Sequence, residues 1–158
     1  MQAISNIKEA DTHSNVNSTV MSNNLFEVVV IEDNHLINTI MSKALESTIN
    51  TIKNLKNIPV KFSSFHNGAD FLNYFESKDF SDLKLIVFSD YNLEDNMNGI
   101  EILTNVKRQK SDAKVIIMSD SSNEQIPVDS IKMGAYSFLR KDLKTSVTCS
   151  ELLFQMVV

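Results

Sequence analysis

Polar residues capable of chemistry stand directly after runs of aliphatic ones at four places in this chain. Glu32 and Asp33 close "VVVIED", Asp90 closes "IVFSD", Ser119 and Asp120 close "VIIMSD", and Lys141 follows "SFLR". Adjacent carboxylates repel each other by about 4 kcal/mol at ~4 Å and an effective dielectric near ~20, so a cation belongs beside Glu32 and Asp33. Carboxylates gathered at one rim make a hard oxygen site. That suits Mg2+, which takes one or two carboxylates directly and keeps several waters. A lysine at the same rim stabilises phosphoryl oxygens as a point charge, and a hydroxyl adds a directional hydrogen bond. Asp90, alone at its strand end, can act as a nucleophile and form an acyl phosphate. Phosphoryl transfer depends on in-line positioning and charge neutralisation, and these side chains supply both.

These residues meet only if the aliphatic runs are strands of one sheet. Strands are expected at 26–31, 60–65, 83–88, 113–118 and 135–139. Between them the apolar period lengthens to that of a helix. "HLINTIMSKALESTIN" puts Leu36, Ile37, Ile40, Met41, Ala44 and Leu45 on one face, and "TIKNLKNIP" extends that helix by a turn or two. Phe71, Leu72 and Phe75 point inward from a second helix, and Ile100, Leu103 and Val106 from a third at 99–110. Pro127 suits the first turn of a short, weakly apolar segment ending at Gly134. Leu152, Leu153, Met156 and Val157 share a face of the last helix. Five strands alternating with five helices specify an α/β fold, a doubly wound parallel sheet with helices on both faces. In such a sheet, functional groups collect beyond the C-terminal strand ends.

The chain's 158 residues suit one domain. Residues 1–24, rich in Asn, Ser and Thr, read as a flexible tail, which leaves 25–158 as the folded unit. Fifteen basic against twenty acidic residues give a net charge of −5, which argues against direct binding of nucleic acid. Cys149, the only cysteine, cannot form an internal disulfide and reads as a small buried apolar residue. No apolar run approaches the roughly 20 residues of a membrane span. The N-terminus lacks the order of a signal peptide. A cytoplasmic protein without membrane contact is expected.

In their joint order, these motifs resemble the receiver domains of two-component response regulators, over roughly residues 26–158. The resemblance implies a flavodoxin-like (βα)5 sandwich with strand order 2-1-3-4-5. It makes Asp90 the phosphoacceptor, with Mg2+ held by Glu32, Asp33, Asp90 and the backbone carbonyl of Asn92. Ser119 matches the switch hydroxyl, Lys141 the lysine and Phe138 the aromatic switch residue, while Gly68, Gly99 and Gly134 fall where the family often has glycine. Asn92 and Ser121 lie near the expected path of hydrolytic water and would tune the lifetime of the phosphoryl group. A sensor histidine kinase or histidine phosphotransfer protein is the implied donor. The output is a downstream protein target or an output domain, through the face of the fourth helix, fifth strand and fifth helix. A phosphorylation-dependent homodimer is compatible with this. No enzymatic activity is implied beyond self-phosphotransfer and autodephosphorylation at Asp90.

The chain departs from the family pattern in four respects. "DYNLEDNMNG" lacks the usual proline and is one residue longer. Asp142 replaces the proline after the lysine, Asp120 replaces a small residue, and the connection to the second strand is longer. Simpler roles exist for several residues: a turn or N-cap for Ser119, core packing for Phe138, pairing with Asp142 for Lys141. His35 and His66 are expected on the surface at helix starts, and Asp120, Glu94 and Asp95 as solvated loop acids. Two other functions compete. One is a receiver-like scaffold that works without phosphorylation. The other is an aspartyl-phosphate phosphatase like the haloacid dehalogenases, disfavoured because Asn92 stands where that family has its second Asp.

Overall fold

The computed structural model describes residues 25–94 and 96–158. The expected tail at 1–24 and the loop acid Asp95 lie outside the described residues. Ten elements alternate: β1 (Phe26–Ile31), α1 (His35–Lys56), β2 (Val60–Phe65), α2 (Gly68–Glu76), β3 (Lys84–Asp90), α3 (Gly99–Gln109), β4 (Lys114–Ser119), α4 (Gln125–Lys132), β5 (Ser137–Arg140) and α5 (Thr145–Val157). The strands form one sheet in the order β2-β1-β3-β4-β5, and every neighbouring pair is parallel. This is the flavodoxin-like doubly wound α/β architecture.

Alternation along the buried strands divides the core in two. Val28, Val30, Phe88, Ile116 and Met118 meet Met41, Leu45 and Ile52 of α1 and Cys149 and Leu153 of α5. Val29, Ile31, Val87, Val115 and Ile117 meet Phe71 and Phe75 of α2 and Ile102, Leu103 and Val106 of α3. Successive strand residues point to opposite faces, so both faces must be apolar when helices cover both.

Asparagines start three of the helices. The side chain of Asn34 accepts the Leu36 and Ile37 amides, and Asn67 accepts that of Asp70. Asn98 and Glu101 form a reciprocal capping box. Asn57, at φ 53°, closes α1 in the left-handed region.

The inward stripe of α1 differs from the sequence expectation. Asn38, Met41, Leu45, Ile49 and Ile52 are buried, whereas Leu36, Ile37 and Ile40 are exposed at 69%, 36% and 49%. The reason is Asn38. Its amide donates to the carbonyls of Glu32 at 2.9 Å and Phe65 at 3.1 Å, so a polar residue occupies the inward position in the first turns. Helix α1 does extend past Asn50, to Lys56. Strand β5 is shorter and later than expected, and β3 and β4 each run further, so that Asp90 and Ser119 are their last residues.

A charged residue is also buried within β1. Glu27 of β1 is fully buried, and Ser63, Tyr74 and Lys78 close on its carboxylate. Burial opposes the charge on Lys78, but its hydrogen bonds to Glu27 and Tyr74 outweigh this and raise its pKa.

Candidate functional site

The C-terminal ends of β1, β3 and β5 converge on one group of charges. Glu32 and Asp33 follow β1, Asp90 ends β3, and carboxylate oxygens of all three lie within 4.8 Å of one another. Glu32 and Asp90 are buried and Asp33 is half-buried. Lys141, directly after β5, reaches into this group. Its Nζ stands 2.6 Å from Glu32 Oε2 and 3.0 Å from Asp90 Oδ2. The Lys141 amide donates to the Ser119 carbonyl at 2.8 Å, so the sheet ladder fixes the lysine's backbone. Lys141 thus pairs with Glu32 and Asp90, while Asp142 accepts the Lys144 amide at 2.7 Å.

The electrostatics follow from crowding and burial. Desolvation raises Asp90, the Asp33 charge adds to this, and Lys141 and the Asn92 amide work against it. Glu32 is raised by desolvation and by Asp90, with Lys141 opposing. Burial disfavours the Lys141 ammonium, but the Glu32 and Asp90 carboxylates prevail and raise it. Three acids thus share one protein cation.

A divalent cation fits these residues. The donors are carboxylate oxygens close enough to share one ion, and the single ammonium of Lys141, 2.6 Å from Glu32 Oε2, leaves three carboxylates facing one cation. That is the donor chemistry of a hard cation such as Mg2+.

The loop after β3 shapes the site's wall. Asp33 Oδ2 accepts the Glu94 amide at 3.0 Å, tying the two acidic loops together. Asn92 is exposed and donates its amide to Asp90, and a bridge between Asn92 and Asn98 pinches the loop. Asn96 takes the left-handed region, at φ 57°, while Leu93 is buried beneath. Gly99 must lack a side chain, because a Cβ there would lie 2.8 Å from the Asp90 carbonyl.

Ser119 is fully buried, and its Oγ accepts the Ser121 amide at 3.1 Å. That is turn bonding, not a helix cap, because α4 starts only at Gln125. Ser121 is half-buried and Asp120 exposed. Phe138, half-buried on β5, packs against the core layer that α2 and α3 cover. His35 and His66 are exposed, as expected. Sequence reasoning missed Asn38, which braces the β1–α1 loop, and Arg140. The Arg140 guanidinium donates to the Ser121 carbonyl at 2.6 Å and to Glu124 at 3.0 Å, fastening the β4–α4 loop to β5. No period or spacing marks either residue, because each acts on a carbonyl brought near by the fold.

Comparison with known proteins agrees with the fold. The family model described as "Response regulator receiver domain" matches residues 28–152. No curated protein matches the sequence. Among solved structures, the chemotaxis response regulator CheY4 of Vibrio cholerae superposes with a TM-score of 0.64 at 18% identity, over 85% of this chain and 99% of that one. The BeF3-activated receiver domain of DrrB, from Thermotoga maritima, gives 0.61 at 21% identity, over 84% and 94%. Full-length FixJ from B. japonicum gives 0.60 at 22%, over 84% of this chain and 55% of that one.

Proposed function

The chain belongs to the response regulator receiver domain family, and we propose that its domain, residues 25–158, takes a phosphoryl group on Asp90 from a phosphohistidine of a sensor kinase or phosphotransfer protein. The observation that carries this reading is the Lys141 ammonium lodged between Glu32 and Asp90 in a trio of close carboxylates. An Asp90 oxygen attacks phosphorus, the phosphorus–nitrogen bond breaks, and the imidazole leaves with that electron pair. Mg2+ held by Glu32, Asp33, Asp90 and the Asn92 carbonyl would neutralise charge on the transferring group. Lys141 then exchanges its contact with the Asp90 carboxylate for the new phosphoryl oxygens. Because the Ser121 amide occupies a lone pair of Ser119 Oγ, the hydroxyl proton of Ser119 remains to be donated toward the phosphoryl group. Asn92 and Ser121 flank the approach of hydrolytic water and set the lifetime of the adduct.

The response travels through Ser119 and Phe138 to the face of α4, β5 and α5. Helix α4 suits a bistable element: it buries only Ile126 and Ser130 and has no side-chain N-cap. Val128, Ile131, Met133, Tyr136 and Val147 are exposed there, which gives a protein target, an output domain or a second copy of the chain an apolar surface. The beryllofluoride-activated NtrC4 receiver is a dimer, so pairing on phosphorylation is a reasonable outcome. Among the described residues no helix is long and apolar enough to cross a membrane; a cytoplasmic location is part of the proposal.

The test is intact mass after incubation with acetyl phosphate, with and without Mg2+, for the wild type and Asp90→Asn. A Mg2+-dependent phosphoryl adduct that vanishes in the variant is expected. Absence of an adduct with acetyl phosphate and with a phosphoramidate would turn the assignment to the phosphorylation-independent scaffold.

A further inference from the structure

Two imidazoles outside the acidic group face each other at the surface. His35 opens α1 and His66 lies between β2 and α2, yet their ring centroids are only 4.2 Å apart, with the planes tilted by 39°. Both residues are exposed. Among the described residues, no hydrogen bond is made to either ring.

The backbone carrying each ring is fixed on both sides. Asn34 Oδ1 accepts the Leu36 and Ile37 amides at 3.1 Å, which sets the first turn of α1 around His35. Next to His66, the Phe65 carbonyl accepts from the Glu32 amide at 3.1 Å and from Asn38 Nδ2 at 3.1 Å. On its other side, Asn67 caps α2 through the Asp70 amide at 2.7 Å. Asn38 also bonds the Glu32 carbonyl, so one side chain ties the two histidine-bearing loops together. Ligands held by pinned backbone lose little freedom on binding.

We infer that His35 and His66 form a site for a borderline divalent transition-metal ion of the zinc type, with two imidazole ligands and water in the remaining positions. Neutral imidazole suits Zn2+, Ni2+ and Cu2+, whereas Mg2+ selects oxygen, so this site and the carboxylate trio divide the cations between them. Zinc sits about 2.0–2.1 Å from each ligating nitrogen. Two nitrogens on one ion therefore lie within roughly 4 Å of each other, and these two rings already stand with centroids 4.2 Å apart. The bound ion joins the β1–α1 and β2–α2 loops two residues beyond Asp33, and so stiffens the backbone that presents Glu32 and Asp33 without entering their site.

Isothermal titration of the full chain with ZnCl2, in excess Mg2+ to occupy the carboxylates, tests the assignment. One zinc per chain is expected, with affinity about tenfold or more lower in His35→Ala and in His66→Ala and unchanged in His13→Ala. Circular-dichroism melts check that each variant is folded, and His35→Gln and His66→Gln replace any that is not. No zinc binding by the wild type would overturn the inference. Binding indifferent to both substitutions, or lost in His13→Ala, would overturn it equally.

Discussion

Cys149 shows what burial does to one reactive side chain. It is fully enclosed on α5, with Sγ 3.7 Å from Met118 Sδ, and desolvation pushes its thiol from 9.0 up to about 12. The folded value is the higher one. The neutral thiol's contribution to stability is therefore complete below about pH 9 and is lost as pH climbs through the folded value. Native protein at pH 8 should react with a thiol reagent only as fast as it unfolds, and at once in denaturant; a rapid native phase would put the sulfur at the surface. The apolar reading of Cys149 was available in the sequence, as were the positions of Glu32, Asp33, Asp90, Ser119 and Lys141. Each of those five stands at or just past the end of a strand, so its place is set by where the apolar run stops. Asn38 and Arg140 were not legible. Their partners are carbonyls that only the folded sheet brings within reach.

At the scale of elements, periodicity located every strand and helix but misjudged one face. The stripe expected on α1 counted every apolar residue, whereas the helix turns Asn38 inward to serve two carbonyls and leaves Ile37 and Ile40 outside. The β4–α4 loop depends on a comparable contact. The Ser121 peptide is held at both ends, its amide by Ser119 Oγ and its carbonyl by Arg140. The Arg140–Glu124 pair is solvent-exposed, so it contributes at most about 1 kcal/mol to global stability. Its effect should be local. Arg140→Ala should speed amide exchange at Ser121–Gln125 several-fold, with the global melting temperature nearly unchanged. Hydrogen exchange read by mass spectrometry decides this; unaltered exchange would mean that other contacts hold the loop, and would remove Arg140 from any account of how Ser119 is positioned.

For the whole molecule, the carboxylate trio concentrates charge that folding alone balances poorly. Desolvation and mutual repulsion raise both Glu32 and Asp90. In the metal-free protein, the stabilisation linked to their protonation is therefore present below the unfolded carboxylate values and lost as pH rises through the folded ones. A cation reverses this preference because it favours the ionised forms. Mg2+ should consequently stabilise the fold most at neutral pH and progressively less as pH falls toward the range where Glu32 and Asp90 hold protons. At a hundredfold excess over its dissociation constant, the ion adds about 2.7 kcal/mol. In a domain of this size that is a rise of roughly 5–10 °C in melting temperature. Thermal melts with Mg2+ or with EDTA, at pH 7.5 and pH 5, measure both the size and the sign. The same melts on Glu32→Gln should lose most of the Mg2+ effect while raising the metal-free melting temperature at pH 7.5, since one buried charge has gone. A Mg2+ effect that grows as pH falls, or that persists in Glu32→Gln, would place the cation somewhere other than the trio.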